Sequence, residues 1–168
     1  MSKVHIVSGP QGAGKSTYSK KLSEEINGVH FSIDNWMWKL YGADLPEPMN
    51  FQWIMERVER CEQHIWTLST EISKCGSEVI LDLGFTKLAK RELFKGLVKD
   101  QNIPIQIHYI NASHPIRRKR VLERNIEKGK TFSFEVTPGM FDFMETEFEK
   151  PTEKELMNAI VVDTTNVD

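Results

Sequence analysis

The segment from residue 9 to residue 17 constrains the fold of this chain more than any other. It reads Gly-Pro-Gln-Gly-Ala-Gly-Lys-Ser-Thr and matches the pattern G-x-x-x-x-G-K-[ST]. An apolar run at residues 4–7 precedes it, and an amphipathic segment at residues 18–26 follows. A strand, a glycine-rich turn and a helix N-terminus in this order direct backbone N–H groups at one point, where an anion can bind. The sequence therefore predicts that a nucleoside triphosphate binds here.

Each residue type in this loop has a physical reason. Glycines at 9, 12 and 14 permit positive φ, so that successive N–H groups can turn inward. Lys15 can reach the β- and γ-phosphates, and the Ser16 hydroxyl can ligate Mg²⁺. The predicted nucleotide contacts in the loop are Gly9, Gln11, Gly12, Ala13, Gly14, Lys15, Ser16 and Thr17.

Length and composition are those of one soluble globular domain spanning residues 1–168. A formal net charge of −2 argues against general binding of polyanions. No apolar run approaches the ~20 residues that a membrane span needs. Cys61 and Cys75 fit reduced thiols with packing roles, so we expect a cytoplasmic protein. We expect it to be a monomer or a weak dimer.

Apolar runs that predict strands alternate along the chain with segments of helical periodicity. The predicted strands cover residues 4–8, 29–33, 78–82, 103–110 and 159–162. The predicted helices cover residues 15–26, 35–41, 50–74, 87–100 and 113–127, with a further helix capped by Thr137. In the helix at 87–100 we expect Thr86 as the cap, with Leu93 and Leu97 facing inward. The alternation predicts a parallel sheet with helices on both faces, and ligands at the carboxyl ends of its strands.

Two carboxylates follow predicted strands at that edge. Asp82 ends the run Val-Ile-Leu-Asp as a Walker B acid does, and it can hold Mg²⁺ together with Ser16. Asp34 ends the second strand and could accept the proton of an incoming hydroxyl. The structural alternative for Asp34 is an N-cap of the helix that begins at Asn35.

Three arginines share one face of a predicted helix. Arg117, Arg120 and Arg124 are spaced i, i+3, i+7, whereas Arg118 points elsewhere. Such a stripe can grip phosphates and stabilise charge in a transition state. The alternative is a solvated helix face paired with the acidic segment that follows Glu135.

Aromatic residues cluster after the second strand. Trp36 and Trp53 flank the candidate base and either line an acceptor pocket or pack in the core. The histidines at 30, 64, 108 and 114 have no metal-binding spacing and are interpreted as structural.

With these residues in place, the chain resembles a group of small P-loop kinases. The group includes zeta toxins, chloramphenicol phosphotransferase, gluconate kinase, the kinase domain of polynucleotide kinase and, in particular, bacterial proteins usually called AAA family ATPases. Residues 9–17, 30–34, 81–86, 117–125 and 134–141 carry the resemblance. It implies an α/β P-loop NTPase fold, three layers (α/β/α) with a five-stranded parallel sheet in the order 2-3-1-4-5. The implied fold is similar to that of nucleoside kinases and has a helical lid at about residues 113–135.

The resemblance also implies site residues, with ATP and Mg²⁺ as cofactors. Asp34 matches the general-base position and Arg120 and Arg124 match the lid arginines, so these three and Lys15 of the phosphate-binding loop are the expected catalytic residues. The segment after the fifth strand, with Thr164, matches the adenine-side loop. From the residue patterns themselves, Arg117 and Arg120 are expected to contact the nucleotide, and Ser16 and Asp82 are expected to ligate the metal.

The function expected from these residues is ATP-dependent transfer of the γ-phosphate to a hydroxyl of a small molecule. One alternative is a polynucleotide or nucleotide-sugar kinase. Polynucleotide kinases have an arginine three residues after the base, where this chain has Met37, which disfavours a nucleic-acid acceptor. The other alternative is a nucleotide-binding regulatory ATPase with little transfer activity.

Overall fold

Five parallel strands form the centre of the molecule. The computed structural model describes residues 2–128 and 135–167. The strands are β1 (Val4–Ser8), β2 (Val29–Ser32), β3 (Val79–Asp82), β4 (Ile105–Asn111) and β5 (Ala159–Asp163). Their order across the sheet is β2-β3-β1-β4-β5, and every neighbouring pair is parallel. The predicted fold class and strand order are therefore confirmed.

Helices connect the strands. The described α-helices are α1 (Lys15–Ile26), α2 (Ile33–Tyr41), α3 (Phe51–Lys74), α4 (Leu88–Asp100), α5 (His114–Glu127), α6 (Pro138–Glu147) and α7 (Glu153–Leu156). A short 3₁₀ turn (Gly42–Asp44) follows α2. Within the described residues, none of these helices is long and apolar enough to cross a bilayer.

The two faces of the sheet are covered by different helices. Because side chains alternate along a strand, Val4 and Ile6 of β1 face one side and Val7 faces the other. On the first side the core is completed by α3 and α4, and on the second side by α1. All residues of β1 and β3 are buried, as expected for central strands covered on both faces.

The beginning of α2 differs from the sequence expectation. β2 ends at Ser32, and Asp34 lies in the first turn of the helix rather than at the end of the strand. The Ser32 hydroxyl accepts the hydrogen bond from the Asn35 N–H at 3.3 Å and caps the helix. The interpretation of Asp34 as the N-cap is therefore wrong.

Helix α4 also differs in its cap and in its buried face. The Thr86 side chain does not cap it; instead the Leu88 N–H donates to Glu149 Oε2 at 2.7 Å. Leu93 is 60% exposed, so its predicted inward orientation is wrong. The buried residues of this helix are Arg91, Phe94 and Val98.

In the region predicted to form a lid, α5 packs against residues of α6 and the segment before it. Val121 of α5 packs against Val136 and Phe141, and the Asn125 amide bonds both the N–H and the carbonyl of Val136. Part of the predicted lid, residues 129–134, lies outside the described residues.

Candidate active site

The glycine-rich loop lies between β1 and α1, at the carboxyl edge of the sheet. A Cβ atom at Gly9 would lie 2.0 Å from the Ile110 carbonyl oxygen, and one at Gly12 would lie 2.5 Å from the Arg117 carbonyl oxygen. These approaches require glycine, because real Cβ atoms do not approach backbone oxygens so closely. The loop therefore sits tightly on β4 and α5, with the N-terminus of α1 as its end.

A cavity of about 390 Å³ opens above this loop. The loop contributes Gln11, Gly12, Gly14, Lys15, Ser16 and Thr17 to its lining. Helix α5 contributes Arg120, Val121, Glu123, Arg124 and Glu127. The remaining wall consists of Ile33, Asp34, Asp82, Gly84, Thr86, Met144 and Phe148. Most of the predicted site residues thus meet in one cavity.

The predicted metal ligands lie next to each other. Ser16 Oγ donates to Asp82 Oδ2 at 2.8 Å, and the Asp82 side chain is buried. His30 Nε2 lies 3.7 Å from the same carboxylate oxygen. A hydroxyl and a carboxylate oxygen beside a phosphate-binding loop are donors that Mg²⁺ prefers. These two residues therefore fit an Mg²⁺ ion held together with a nucleotide.

Lys15 is positioned at the floor of the cavity. Its Nζ donates to the Pro10 carbonyl oxygen at 3.0 Å. Burial lowers its pKa, while the nearby carboxylates of Asp82 and Asp34 act in the opposite direction. A partly dehydrated ammonium group interacts more strongly with phosphate oxygens than one in bulk water does.

Asp34 faces the cavity from the first turn of α2. Its side chain remains accessible to water, yet the surrounding walls reduce its hydration. This burial, and then the negative charge of Asp82, raise its pKa. Lys15 and Arg124 oppose the shift. A carboxylate with a raised pKa and an open face is suited to accept a proton.

The three arginines of α5 have different environments. Arg124 lines the cavity, and its buried Nε has no hydrogen-bond partner among the described residues. Arg120 also lines the cavity, while its guanidinium donates to Thr164 Oγ1 at 2.9 Å and to the Thr164 carbonyl oxygen at 2.7 Å. Thr164 in turn donates to the Ala13 carbonyl oxygen at 2.8 Å. Thr164 thus contacts the loop backbone and does not line the cavity.

Arg117 lies behind the loop. Its side chain is buried, and it donates to the carbonyl oxygens of Ala112 at 3.0 Å and Gln11 at 3.2 Å. It also forms a bidentate pair with Glu145, and these hydrogen bonds lower the pKa of that carboxyl group. The side chain thus supports the loop from outside the cavity, and the expected nucleotide contact of Arg117 stays a prediction.

The aromatic cluster does not reach the cavity. Trp36 packs against Phe31 and His64, and Trp53 packs against Tyr41. Neither tryptophan is part of the cavity lining. Trp36 packs against the core, whereas Trp53 contacts Tyr41 and Arg57.

Sequence reasoning did not assign Thr86, Met144 or Phe148 to the site. Thr86 follows Asp82 on the loop after β3. Because ligands bind at the carboxyl ends of parallel strands, this position could have been predicted to line the site. Met144 and Phe148 reach the cavity only because α6 folds back onto α5, and their local pattern indicates no more than an apolar helix face.

Several solved structures share this fold across nearly the whole chain. A candidate kinase from Chloroflexus aurantiacus J-10-fl aligns with a TM-score of 0.75 at 17% identity, covering 99% of this chain and 92% of that one. Chaetomium thermophilum Kti12 in complex with ADP-AlF3 aligns with a TM-score of 0.69 at 15% identity, covering 98% and 90%. Mycobacterium tuberculosis APS kinase CysC in complex with AMPPNP and APS gives 0.63 at 15% identity, covering 96% and 88%.

A family model identifies the family to which the chain belongs. No curated protein sequence matches the chain significantly. The family model described as AAA domain matches residues 4–151, which is most of the chain. The sheet order, the phosphate-binding loop and the structural neighbours agree with this match. The chain therefore belongs to the AAA domain family and has the nucleotide-binding fold of P-loop kinases.

Proposed function

We propose that the protein transfers the γ-phosphate of ATP to a hydroxyl group of a small molecule. The observation that carries this proposal is the meeting of Lys15, Asp34 and the Ser16–Asp82 pair in one cavity. The phosphate-binding loop supplies the donor half of such a site. Asp34, which no phosphate-binding function needs, supplies a base for the acceptor half.

The reaction follows from these positions. The acceptor oxygen forms a bond to the γ-phosphorus, the bond between that phosphorus and the bridging oxygen breaks, and ADP leaves with the electron pair. Asp34 takes the proton of the acceptor hydroxyl. Lys15, Arg120 and Arg124 stabilise negative charge on the phosphoryl oxygens. Ser16 and Asp82 would hold Mg²⁺, which would supply further neutralisation of the phosphate charge.

The named kinases among the structural neighbours support this class of reaction. APS kinase was solved with AMPPNP and APS, which are a nucleotide and a small-molecule ligand. Kti12, solved with ADP-AlF3, is not named as a kinase, so nucleotide binding without transfer is the competing function. The position of Asp34 favours catalysis over binding alone, because a module that only binds ATP needs no base in the cavity. Stimulation of ADP release by an acceptor then distinguishes transfer from hydrolysis.

The proposal is tested by measuring ADP release with and without hydroxyl compounds. We expect compounds that act as acceptors to stimulate release, and Lys15→Ala to lower the stimulated kcat/KM at least about 100-fold, because it removes a charge that stabilises the transition state. Lys20→Ala, which removes an exposed lysine of the same helix, is the matched control. Unchanged ATP consumption by Lys15→Ala in the presence of an acceptor would contradict the proposal.

A further inference from the structure

The cavity wall opposite the phosphate-binding loop has a distinct composition. Among the described residues it consists of Ile33, Asp34, Gly84, Thr86, Met144 and Phe148. Three of these side chains are apolar and one is a carboxylate. The lysine and arginines that line the cavity are on the loop and on α5, at Lys15, Arg120 and Arg124. These are the positions that face a triphosphate.

A third cation that acts on Asp34, after Lys15 and Arg124, is Lys90, and its ammonium group already has partners. Lys90 of α4 is close enough to influence the pKa of Asp34. Its ammonium group, however, forms a short ion pair with Glu62 of α3 and donates to the Leu83 carbonyl oxygen at 2.7 Å. Both side chains are largely removed from water, so an acceptor could use Lys90 only by leaving Glu62 without its partner.

Two further cations near this wall also have carboxylate partners. Lys87 lies 3.0 Å from Glu147 and 3.7 Å from Glu149, in ion pairs that are exposed to solvent. Arg91 is 2% exposed and donates to Glu155 at 2.8 Å. Among the described residues, Lys87, Lys90 and Arg91 are therefore all paired with carboxylates.

Further carboxylates lie around the cavity. Helix α5 adds Glu123 and Glu127 to the lining, alongside Asp34 and Asp82. An anionic group on the acceptor would be repelled by Asp34 and would find no unpaired cation among the described residues of the opposite wall. An uncharged or positively charged group would meet no such repulsion, and an apolar part could pack on Met144 and Phe148.

We infer, on the basis of the proposed function, that the acceptor is a hydroxyl compound without an anionic group. It is uncharged or carries an amine, and it has an apolar part beside the hydroxyl that receives the phosphate. The phosphoryl group moves from ATP to that hydroxyl oxygen, its proton passes to Asp34, and ADP is released. The paired lysines and arginine make this wall select against carboxylated and phosphorylated acceptors.

The test uses acceptors in matched sets of three that share an apolar part and a hydroxyl and differ in one terminal group, which is uncharged, cationic or anionic. One set is 4-methylbenzyl alcohol, 4-(aminomethyl)benzyl alcohol and 4-(hydroxymethyl)benzoate, and a second is heptan-1-ol, 6-aminohexan-1-ol and 6-hydroxyhexanoate. The measurement is acceptor-stimulated ADP release across a panel of such sets. We expect kcat/KM for the uncharged or amine-bearing member to exceed that of the carboxylate by at least about tenfold, as one unfavourable charge contact implies.

The outcomes distinguish the inference about the charge of the acceptor from the proposed phosphoryl transfer. Stimulation mainly by the carboxylates overturns this inference and leaves phosphoryl transfer supported. No stimulation by any member of the panel overturns the proposed function itself.

A pair of variants tests the electrostatic cause directly. Thr86→Lys places a cation on the wall, and Thr86→Met places an uncharged side chain of similar length there. We expect Thr86→Lys to raise kcat/KM for the carboxylate relative to the uncharged member by about tenfold, the effect of one favourable charge contact, with no such change in Thr86→Met. Equal ratios in the two variants, with nucleotide binding retained in both, would overturn the inference.

Discussion

At the scale of single residues, two buried histidines and two partly buried side chains form a chain of hydrogen bonds. Glu78 Oε2 and His5 Nε2 are 2.6 Å apart, His5 Nδ1 and His108 Nε2 are 2.9 Å apart, and His108 Nδ1 and the Tyr18 hydroxyl are 2.8 Å apart. All three bonds form with both histidines neutral, when Tyr18 donates to His108, His108 donates to His5, and His5 donates to Glu78. The chain links α1 to β1, β4 and the start of β3.

This arrangement predicts that stability falls on acidification. Burial, and then His5, lower the pKa of His108 from 6.5 to about 4. Below pH 6.5 the unfolded state therefore binds a proton that the folded state excludes, so the free energy of unfolding decreases as the pH falls. Between pH 7 and pH 5 we expect a loss of about 2 kcal/mol from this residue. Urea unfolding at the two pH values measures it.

The control variants isolate the contribution of His108. His108→Gln should show a difference between pH 7 and pH 5 that is about 2 kcal/mol smaller than in the wild type, whatever its absolute stability. His114→Gln, which removes an exposed histidine, should keep the wild-type difference. The same pH dependence in His108→Gln and the wild type would contradict this account.

At the scale of elements, the connection from α6 to α7 is hydrogen-bonded to the loop after β3. Glu149 donates its N–H to the Thr86 carbonyl oxygen at 2.9 Å. Arg91 of α4 donates to the Glu149 carbonyl oxygen at 3.0 Å and forms a bidentate pair with Glu155. These contacts hold the end of α6, and hence Phe148, against the wall of the cavity.

Neutralising Glu155 should destabilise the protein strongly. Burial disfavours its charged form, but hydrogen bonds from Arg91 and the Thr152 backbone hold its pKa at about 2, so the pair is ionised at neutral pH. Glu155→Gln leaves a buried guanidinium without a counter-charge, and we expect a loss of about 3 kcal/mol or more in the free energy of unfolding. Glu153→Gln, an exposed position in the same helix, is the control. A loss in Glu155→Gln equal to that in the control would show that the pair contributes little.

Helix α4 shows which feature sequence patterns do not predict, namely the face of a helix that is buried. Apolar residues in α4 allow two helical phases, one with Leu93 and Leu97 inward and one with Phe94 and Val98 inward, and the observed phase is the second. Arg91 shares the observed face, and an arginine gives no local signal of burial. Its partner Glu155 is 64 residues away along the chain, so only the folded molecule shows why the charge is tolerated.

At the scale of the whole molecule, the parts of the site that depend on topology were predictable. The predicted strands are parallel, so their carboxyl ends lie at one edge of the sheet. This edge is where the structure has the four predicted residues Lys15, Ser16, Asp34 and Asp82. That prediction did not require the exact start of α2, because the first turn of a helix lies at the same edge as the end of the preceding strand.

The parts that depend on long-range folding were not predictable. Arg117 pairs with Glu145 of α6, and the cavity wall includes Met144 of the same helix and Phe148, the residue that follows it. Where α6 packs depends on a connection whose path has no sequence signature. Local periodicity predicts that a helix exists, but it does not predict which side of the cavity the helix will cover.

The central claim is that Asp34 takes a proton from an acceptor, and Asp34→Asn tests it most directly, because asparagine keeps the shape but cannot act as the base. Titration with a fluorescent ATP analogue gives nucleotide affinity, and rapid-quench measurement with an acceptor gives the transfer rate. We predict retained affinity and a transfer rate lowered at least about 100-fold. Asp44→Asn, at an exposed position in the 3₁₀ turn, should leave both unchanged. Loss of nucleotide binding, or transfer at the wild-type rate, would contradict the account.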